Sequence, residues 1–441
     1  MIYLLDFILL FNFIIAIKEF KSIISPPVLL GSGMLIASIM ATCYYDEWEM
    51  GDMLLESVVI IGGCTLFYTV ICYFFLNKGI KWGKPQDSFI RICQSDKIFN
   101  FTLCLVALGF FCCVMKMKSY VGYYGSYFDY SELIGEARSD SWEGNKGFSM
   151  PRYLVLISYL ENFYSYFSCW LLALLILNKR NKKLQLALCL HLLIVILDGF
   201  VGGAKGLIFE PLSRFGVSYI LLYYCKKQSF SLPRQAIWGA ITIFAAVMLS
   251  FNLISNAIGR DHGVLEGNEL FAIYIGAEIK NFDLYMHGYD GNPKNKFLGE
   301  STFFILYKEF CSNYKKEPGN FQGVGSHPLG NVYTQYYSFH KDFGFIGSFL
   351  MTAVLAIISM FFYNRSVIDT SRSPRPSIYS FVYVAMSYHI FMSFFSSKYT
   401  ENILQFHFFE VVLCLSILIY IFKSVLISNI DTMNFKIRIR K

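Results

Sequence analysis

Asn331-Val-Tyr-Thr-Gln-Tyr-Tyr-Ser-Phe-His-Lys-Asp-Phe-Gly-Phe-Ile-Gly347 is polar and tyrosine-rich, and it runs straight into an apolar segment, 345–363. Wound as a helix, it sets Asn331, Gln335, Ser338 and Asp342 on one stripe, with Thr334 beside them. Val332, Tyr336, Phe339 and Phe343 fall on another stripe. A helix of this kind can rest at a bilayer surface with its polar side facing a wet cavity. Most other polar residues outside apolar segments lie in the loop that ends here, so the chemistry is expected at this point.

The apolar segment is one of many. Hydrophobic residues make up 55% of the 441 and charged residues only 16%, with mean hydropathy +0.46. A soluble domain carries roughly 25% charged residues, so the composition predicts an all-α integral membrane protein. A hydrocarbon core about 30 Å thick takes roughly 20 helical residues to cross. About eleven segments suit that length: 2–17, 23–43, 54–76, 98–115, 153–177, 184–201, 207–225, 236–255, 343–363, 378–396 and 404–422. They form a single polytopic domain, 1–441, with two notable outer loops, 116–152 and 256–343. The second is expected to carry much of the active site, with amphipathic helices at 270–285 and 303–314. Asp290-Gly-Asn-Pro293 and Glu317-Pro-Gly319 read as turns.

Lys and Arg set the orientation. Lys18 and Lys21, Lys78 to Lys97, Lys179 to Lys183, Lys226 to Arg234, Arg365 to Arg375 and the tail Lys436 to Lys441 occupy alternate turns. The opposite turn 44–53 is acidic, through Asp46, Glu47, Glu49 and Asp52. This predicts a cytoplasmic C-terminus and an N-terminus outside. The net charge of +7 follows from that bias, and it is no nucleic-acid footprint. The first apolar segment lacks a basic start and carries Asp6, unlike a cleavable signal. The 12 cysteines sit mostly inside apolar segments, where they serve packing.

Three places can carry chemistry. Gly202-Gly-Ala-Lys205-Gly206 sets a cation among glycines, a pattern suited to an anion, and Glu210 and Arg214 follow at i, i+4. Gly259-Arg260-Asp261-His262-Gly263 offers an Arg for bidentate phosphate contact. In the opening stretch, Asp342 can accept a hydroxyl proton, and His340 or His327 can do the same. Each has a plainer reading: an internal Glu210–Arg214 pair, an interfacial Arg anchor, and a tyrosine belt. His191 and His389 are isolated in apolar segments, as satisfied core histidines are. His407-x-x-Glu410 has no third ligand, and there is no H-E-x-x-H, so no metal or other cofactor is expected.

Asn331-Val-Tyr-Thr334, Tyr336-Tyr337 and Asp342-Phe-Gly-Phe-Ile-Gly347 together resemble the signature of the O-antigen polymerase family (Wzy type), the oligosaccharide repeat-unit polymerases. Gly202–Gly206 is similar to that family's small-residue, basic-residue, glycine stretch, with Lys205 where the family often has Arg. Tyr274-Ile-Gly-Ala-Glu-Ile-Lys-Asn-Phe-Asp283 resembles its outer-loop helix. The resemblance covers the second half of the chain.

The resemblance implies a metal-independent glycosyltransferase of the bacterial cytoplasmic membrane. It would join undecaprenyl-diphosphate-linked repeat units into a surface polysaccharide, an O-antigen or a capsule, at the outer face. Its partners would be the lipid-linked donor and acceptor, membrane lipid and a chain-length regulator. A base must take the acceptor proton, and cations must stabilise the departing diphosphate. Asp342 is the first choice for base and His340 the second, with Glu278 and Glu300 as further carboxylates. Arg260, Lys205 and Arg214 would hold the diphosphate. Asn331, Tyr333, Thr334, Tyr337, Gln335 and Glu278 would bind sugar. Two other readings share these features: a ligase moving glycan to another acceptor, and a flippase for the same lipid-linked unit.

Overall fold

The computed structural model of the chain describes residues 1–83, 96–125, 129–130, 132–136, 149–203, 205–230, 239, 268–311 and 319–421, and of Lys205, Leu207 and Asn268 the backbone alone. Helices dominate. α1 (Ile2–Phe20) and α2 (Pro26–Cys43) form a hairpin, and α2 starts at Pro26 because proline suits the first helical position. α3 (Leu55–Phe74) contains a π-helical turn at Val59–Gly63. α4 (Asp96–Tyr124), α5 (Arg152–Leu177), α6 (Lys182–Val201) and α7 (Lys205–Lys227) pack on one another. The Asn181 side chain accepts from Leu184 N and starts α6. After α8 (Asn268–Met286) and α9 (Phe304–Phe310) comes an antiparallel pair, β1 (Gln322–Val324) and β2 (His327–Gly330). α10 (Gln335–Arg372), α11 (Ile378–Phe391), α12 (Lys398–Ile403) and α13 (Phe406–Ile421) complete the described chain.

Among the described residues six helices are long and apolar enough to cross a membrane: α2 to α6 and α10. The expected count of about eleven is not reached among the described residues. α1 carries Asp6, Lys18 and Glu19, and α7 carries Glu210, Arg214 and an internal Pro211. α11 and α13 are apolar but shorter. Segment 236–255 lies almost wholly outside the described residues. The strands at 322–330 are a β element that the all-α reading left out.

Contacts sort the turns into two ends. At one end Gly83 N donates to Ser371 O (2.8 Å), Asn364 Nδ2 to Phe75 O (2.7 Å) and Gln228 Nε2 to Gly83 O (3.2 Å). Lys78, Lys81, Lys226, Lys227, Arg365 and Arg372 belong to these turns. At the other end Asp283 of α8 accepts from Leu54 N (2.9 Å), just before α3, and from Ser57 Oγ (2.7 Å) in its first turn, which sets a carboxylate at the start of that helix. The acidic turn 44–53 lies at this second end, where Lys280 Nζ donates to Glu49 O (2.8 Å).

α10 is the element that matters most. Its 38 residues exceed what a bilayer core requires. Gly344 interrupts it at φ 67°, ψ −163°, a conformation open essentially to glycine alone. The polar stretch before Gly344 is thus a separate short helix, and the run after it is the part apolar enough to cross a membrane.

Candidate active site

Four pieces of chain converge at the end opposite the basic turns: the last turns of α8, the loop 287–302, the segment 331–334, and α10 up to Gly344. The expected helix does not begin at Asn331. The Asn281 side chain donates to Leu329 O (3.1 Å) and Val332 O (2.8 Å), holding this segment off the helix, and α10 begins after Thr334. The expected stripe of Asn331, Gln335, Ser338 and Asp342 is therefore broken. Asn331 instead donates to Gly319 O (3.3 Å). The apolar stripe survives within the helix, with Tyr336 and Phe339 fully buried.

Tyr333 and Tyr337 stack with ring centroids 4.1 Å apart. Such a pair contributes about 0.5–1.5 kcal/mol beyond area burial. Tyr285 meets Tyr337 edge-on at 4.8 Å. Asn292 Nδ2 donates to the Tyr333 hydroxyl and to Asp290 Oδ2, both at 2.7 Å. The Tyr337 hydroxyl accepts from Lys341 Nζ (2.9 Å) and donates weakly to Asp290 Oδ2 (3.4 Å). The result is a wall of two aromatic rings, Tyr333 buried and Tyr337 half-buried, bounded by one carboxylate, one amide and one ammonium. Burial lowers the Lys341 pKa, and Asp290 and Asp342 partly restore it.

His340 stands one turn further on, with Nδ1 3.0 Å from the Tyr285 hydroxyl. Burial pushes the Tyr285 phenol up to about 12, so it stays neutral. Burial also lowers the His340 pKa below 6.5 and favours a neutral imidazole. If Nδ1 holds the proton and donates to the tyrosine oxygen, Nε2 keeps its lone pair for a proton from outside.

Asp342 is half-buried and its carboxylate is engaged. It accepts from Asn295 Nδ2, from Ser301 N (3.1 Å) and from Thr302 N (2.6 Å). Burial raises its pKa despite these donors. Its geometry is that of an anchor tying the 295–302 loop to α10.

The remaining expected residues scatter. Glu278 is fully buried on α8, and neither of its oxygens has a partner among the described residues. Burial holds its carboxyl well above the usual range. Thr334 sits buried at the start of α10, and its hydroxyl also lacks a partner among the described residues. Glu300 accepts from Phe297 N (3.2 Å) within its own loop, and His327 pairs with Glu269 at 2.7 Å.

Arg214 is spent inside the bundle, on Asn162 Oδ1 (2.6 Å), Ser165 Oγ (2.7 Å) and Glu210 Oε2 (2.6 Å), with Tyr166 beneath its guanidinium at 4.0 Å. That is the plainer of its two readings. Lys205 opens α7, and Arg260 lies outside the described residues. Gly203 turns the chain between α6 and α7 at φ 64°, and a Cβ there would stand 2.4 Å from the Ile134 side chain. A hydrophobic side chain therefore covers this glycine.

Sequence reasoning missed Asp290, Asn292, Lys341 and Tyr285 as members of the cluster. Asp290-Gly-Asn-Pro293 gave a turn signal that hid a carboxylate. Tyr285 continues the spacing of Tyr274, Glu278 and Asn281, a single stripe on α8. A second polar set also emerged, between α4, α5 and α6. Lys116 Nζ pairs with Asp198 (2.7 Å), and His191 Nε2 lies 2.9 Å from Glu161, with Ser168 at 3.1 Å from its other nitrogen. His191 is thus a partnered core histidine.

Among the described residues no group of three or more His, Cys, Asp or Glu side chains could hold a metal ion. No protein-family model, curated protein or solved structure matches the chain.

Proposed function

We propose that the chain is a membrane glycosyltransferase that polymerises lipid-diphosphate-linked oligosaccharide repeat units, as the resemblance of 331–347 implies. The observation that carries this reading is the cluster of Tyr333, Tyr337, Asp290, Asn292 and His340. Stacked rings suit the apolar faces of sugars. The carboxylate and amide beside them suit sugar hydroxyls.

In the proposed reaction an acceptor hydroxyl oxygen attacks the anomeric carbon of the donor sugar. A new C–O bond forms as the bond to the diphosphate breaks, and the diphosphate leaves with the electron pair. The hydroxyl proton passes to His340 Nε2. This choice reverses the order expected from sequence, because Asp342 already accepts three hydrogen bonds. Lys341 joins Lys205 and Arg260 as a cation for the leaving group. In the same reading the site faces outward from the bacterial cytoplasmic membrane, with the basic turns cytoplasmic.

A transporter of the same lipid-linked unit is the second reading. The Lys116–Asp198 and Glu161–His191 pairs favour it, since ionisable groups within spans mark transport paths. Proteoliposomes carrying a fluorescent polyprenyl-diphosphate oligosaccharide separate the two. Chain lengthening without transbilayer movement supports the transferase. Movement without lengthening supports the transporter.

A further inference from the structure

The segment 294–310 is tied down at both ends and yet turns its apolar side chains outward. Asp342 holds Ser301 and Thr302, and Thr302 Oγ1 donates to Ser338 O (3.2 Å). At the far end Glu309 Oε1 accepts from Phe406 N (2.9 Å), and Phe310 packs on Phe406 at 5.2 Å. Inside the segment the Tyr307 hydroxyl donates to Leu298 O (2.8 Å). The segment thus bridges the starts of two apolar helices, α10 after Gly344 and α13. Even so, Phe297 is 53% exposed, Leu298 78% and Phe310 69%.

These exposures continue those of the two helices below. Ile346 is 74% exposed at the top of α10, and Leu413 62% on α13. Side chains of that kind on a membrane-crossing helix face hydrocarbon. Lys294, Lys296 and Lys308 are exposed beside the apolar residues. Aromatic and apolar residues next to lysines, on a short amphipathic piece at the head of a span, match the boundary between acyl chains and phosphate headgroups.

We propose that 294–310 is a membrane-docking foot, with Phe297, Leu298 and Phe310 inserted among acyl chains and Lys294 and Lys308 against anionic phospholipid headgroups. Asp342 then couples lipid contact to the short helix that carries Tyr337, His340 and Lys341. The inference goes beyond the catalytic reading and holds whatever reaction the site performs.

The test uses the full-length protein in nanodiscs containing photoactivatable phosphatidylglycerol or phosphatidylcholine, with adducts mapped by mass spectrometry. Adducts on 294–310, beside those on 345–363 and 406–421, are expected with both lipids. Phe297→Ser/Leu298→Ser/Phe310→Ser should abolish the first set and leave the others. Lys294→Glu/Lys308→Glu should reduce phosphatidylglycerol adducts on the segment at least ~3-fold and leave phosphatidylcholine adducts unchanged. Labelling of both helices with none on 294–310 would overturn the docking. An equal change for both lipids would overturn the headgroup assignment.

Discussion

Tyr333 and Tyr337 lie face to face at an interplanar angle of 17°, although one precedes α10 and the other sits on its first turn. The pairing depends on the chain entering the helix from the extended segment held by Asn281. Tyr333→Ala removes one ring of the proposed sugar platform. Transfer should fall about tenfold, near the upper end of an aromatic pair's worth. Tyr337→Phe keeps the ring but loses the contacts to Asp290 and Lys341, so it should lose less. Transfer rates of the purified variants check this order, and equal losses would place the hydroxyls above the stack.

His340→Gln should lower the transfer rate by about 10²–10⁴, the usual worth of a positioned base. The sign of the pH dependence follows from burial. A depressed His340 pKa keeps the imidazole neutral at pH 7, so activity should fall only as the pH drops through and below 6.5. The variant's residual activity should lack that acid limb. A limb that persists in His340→Gln assigns it to another group.

Glu278 makes stability depend on pH in the opposite sense from a salt-bridged carboxylate. Its folded pKa lies well above 4.5, so above that pH the native state binds more protons than the unfolded chain. Stability should therefore fall as pH rises from about 4.5 toward the folded value. Glu278→Gln, neutral at every pH, should flatten the melting-temperature profile in detergent and raise it near neutrality. A profile as steep as the wild type's would show that groups other than Glu278 set the pH dependence.

Gly344→Ala forces a Cβ into a conformation that costs about 1–3 kcal/mol. The break between the polar and apolar halves of α10 should shift. Asp342→Ala strips the acceptor from the Ser301 and Thr302 amides, at about 1–3 kcal/mol for groups left unpaired. Limited proteolysis should then cut within 295–302, and the melting temperature should drop. Asp342→Asn, with one oxygen retained, should be milder. Unchanged cleavage in Asp342→Ala would show that the loop is held elsewhere.

Much of the architecture was legible because hydrophobic patterning is a local property. Each expected span that falls on described residues coincides with a helix, from Ile2–Phe20 to Phe406–Ile421, but only six of these helices are long and apolar enough to cross a membrane. The amphipathic helix at Asn268–Met286 was legible for the same reason. What failed was non-local. The start of α10 at Gln335 follows the hold of Asn281 on Val332, 51 residues away in the chain, and no propensity in 331–334 announces it. The engagement of the Asp342 carboxylate was hidden for the same reason, since a carboxylate's partners are invisible in one dimension. Its donors, Asn295, Ser301 and Thr302, come from another loop. Arg214 looked available for a ligand until Asn162 and Ser165 of α5 proved to hold it.

The most direct measurement is gel electrophoresis of products made by the purified protein in proteoliposomes supplied only with a polyprenyl-diphosphate-linked oligosaccharide repeat unit. Polymerisation gives a ladder spaced by one repeat unit, lost in His340→Gln. Unextended starting material at protein levels that preserve the fold would contradict it.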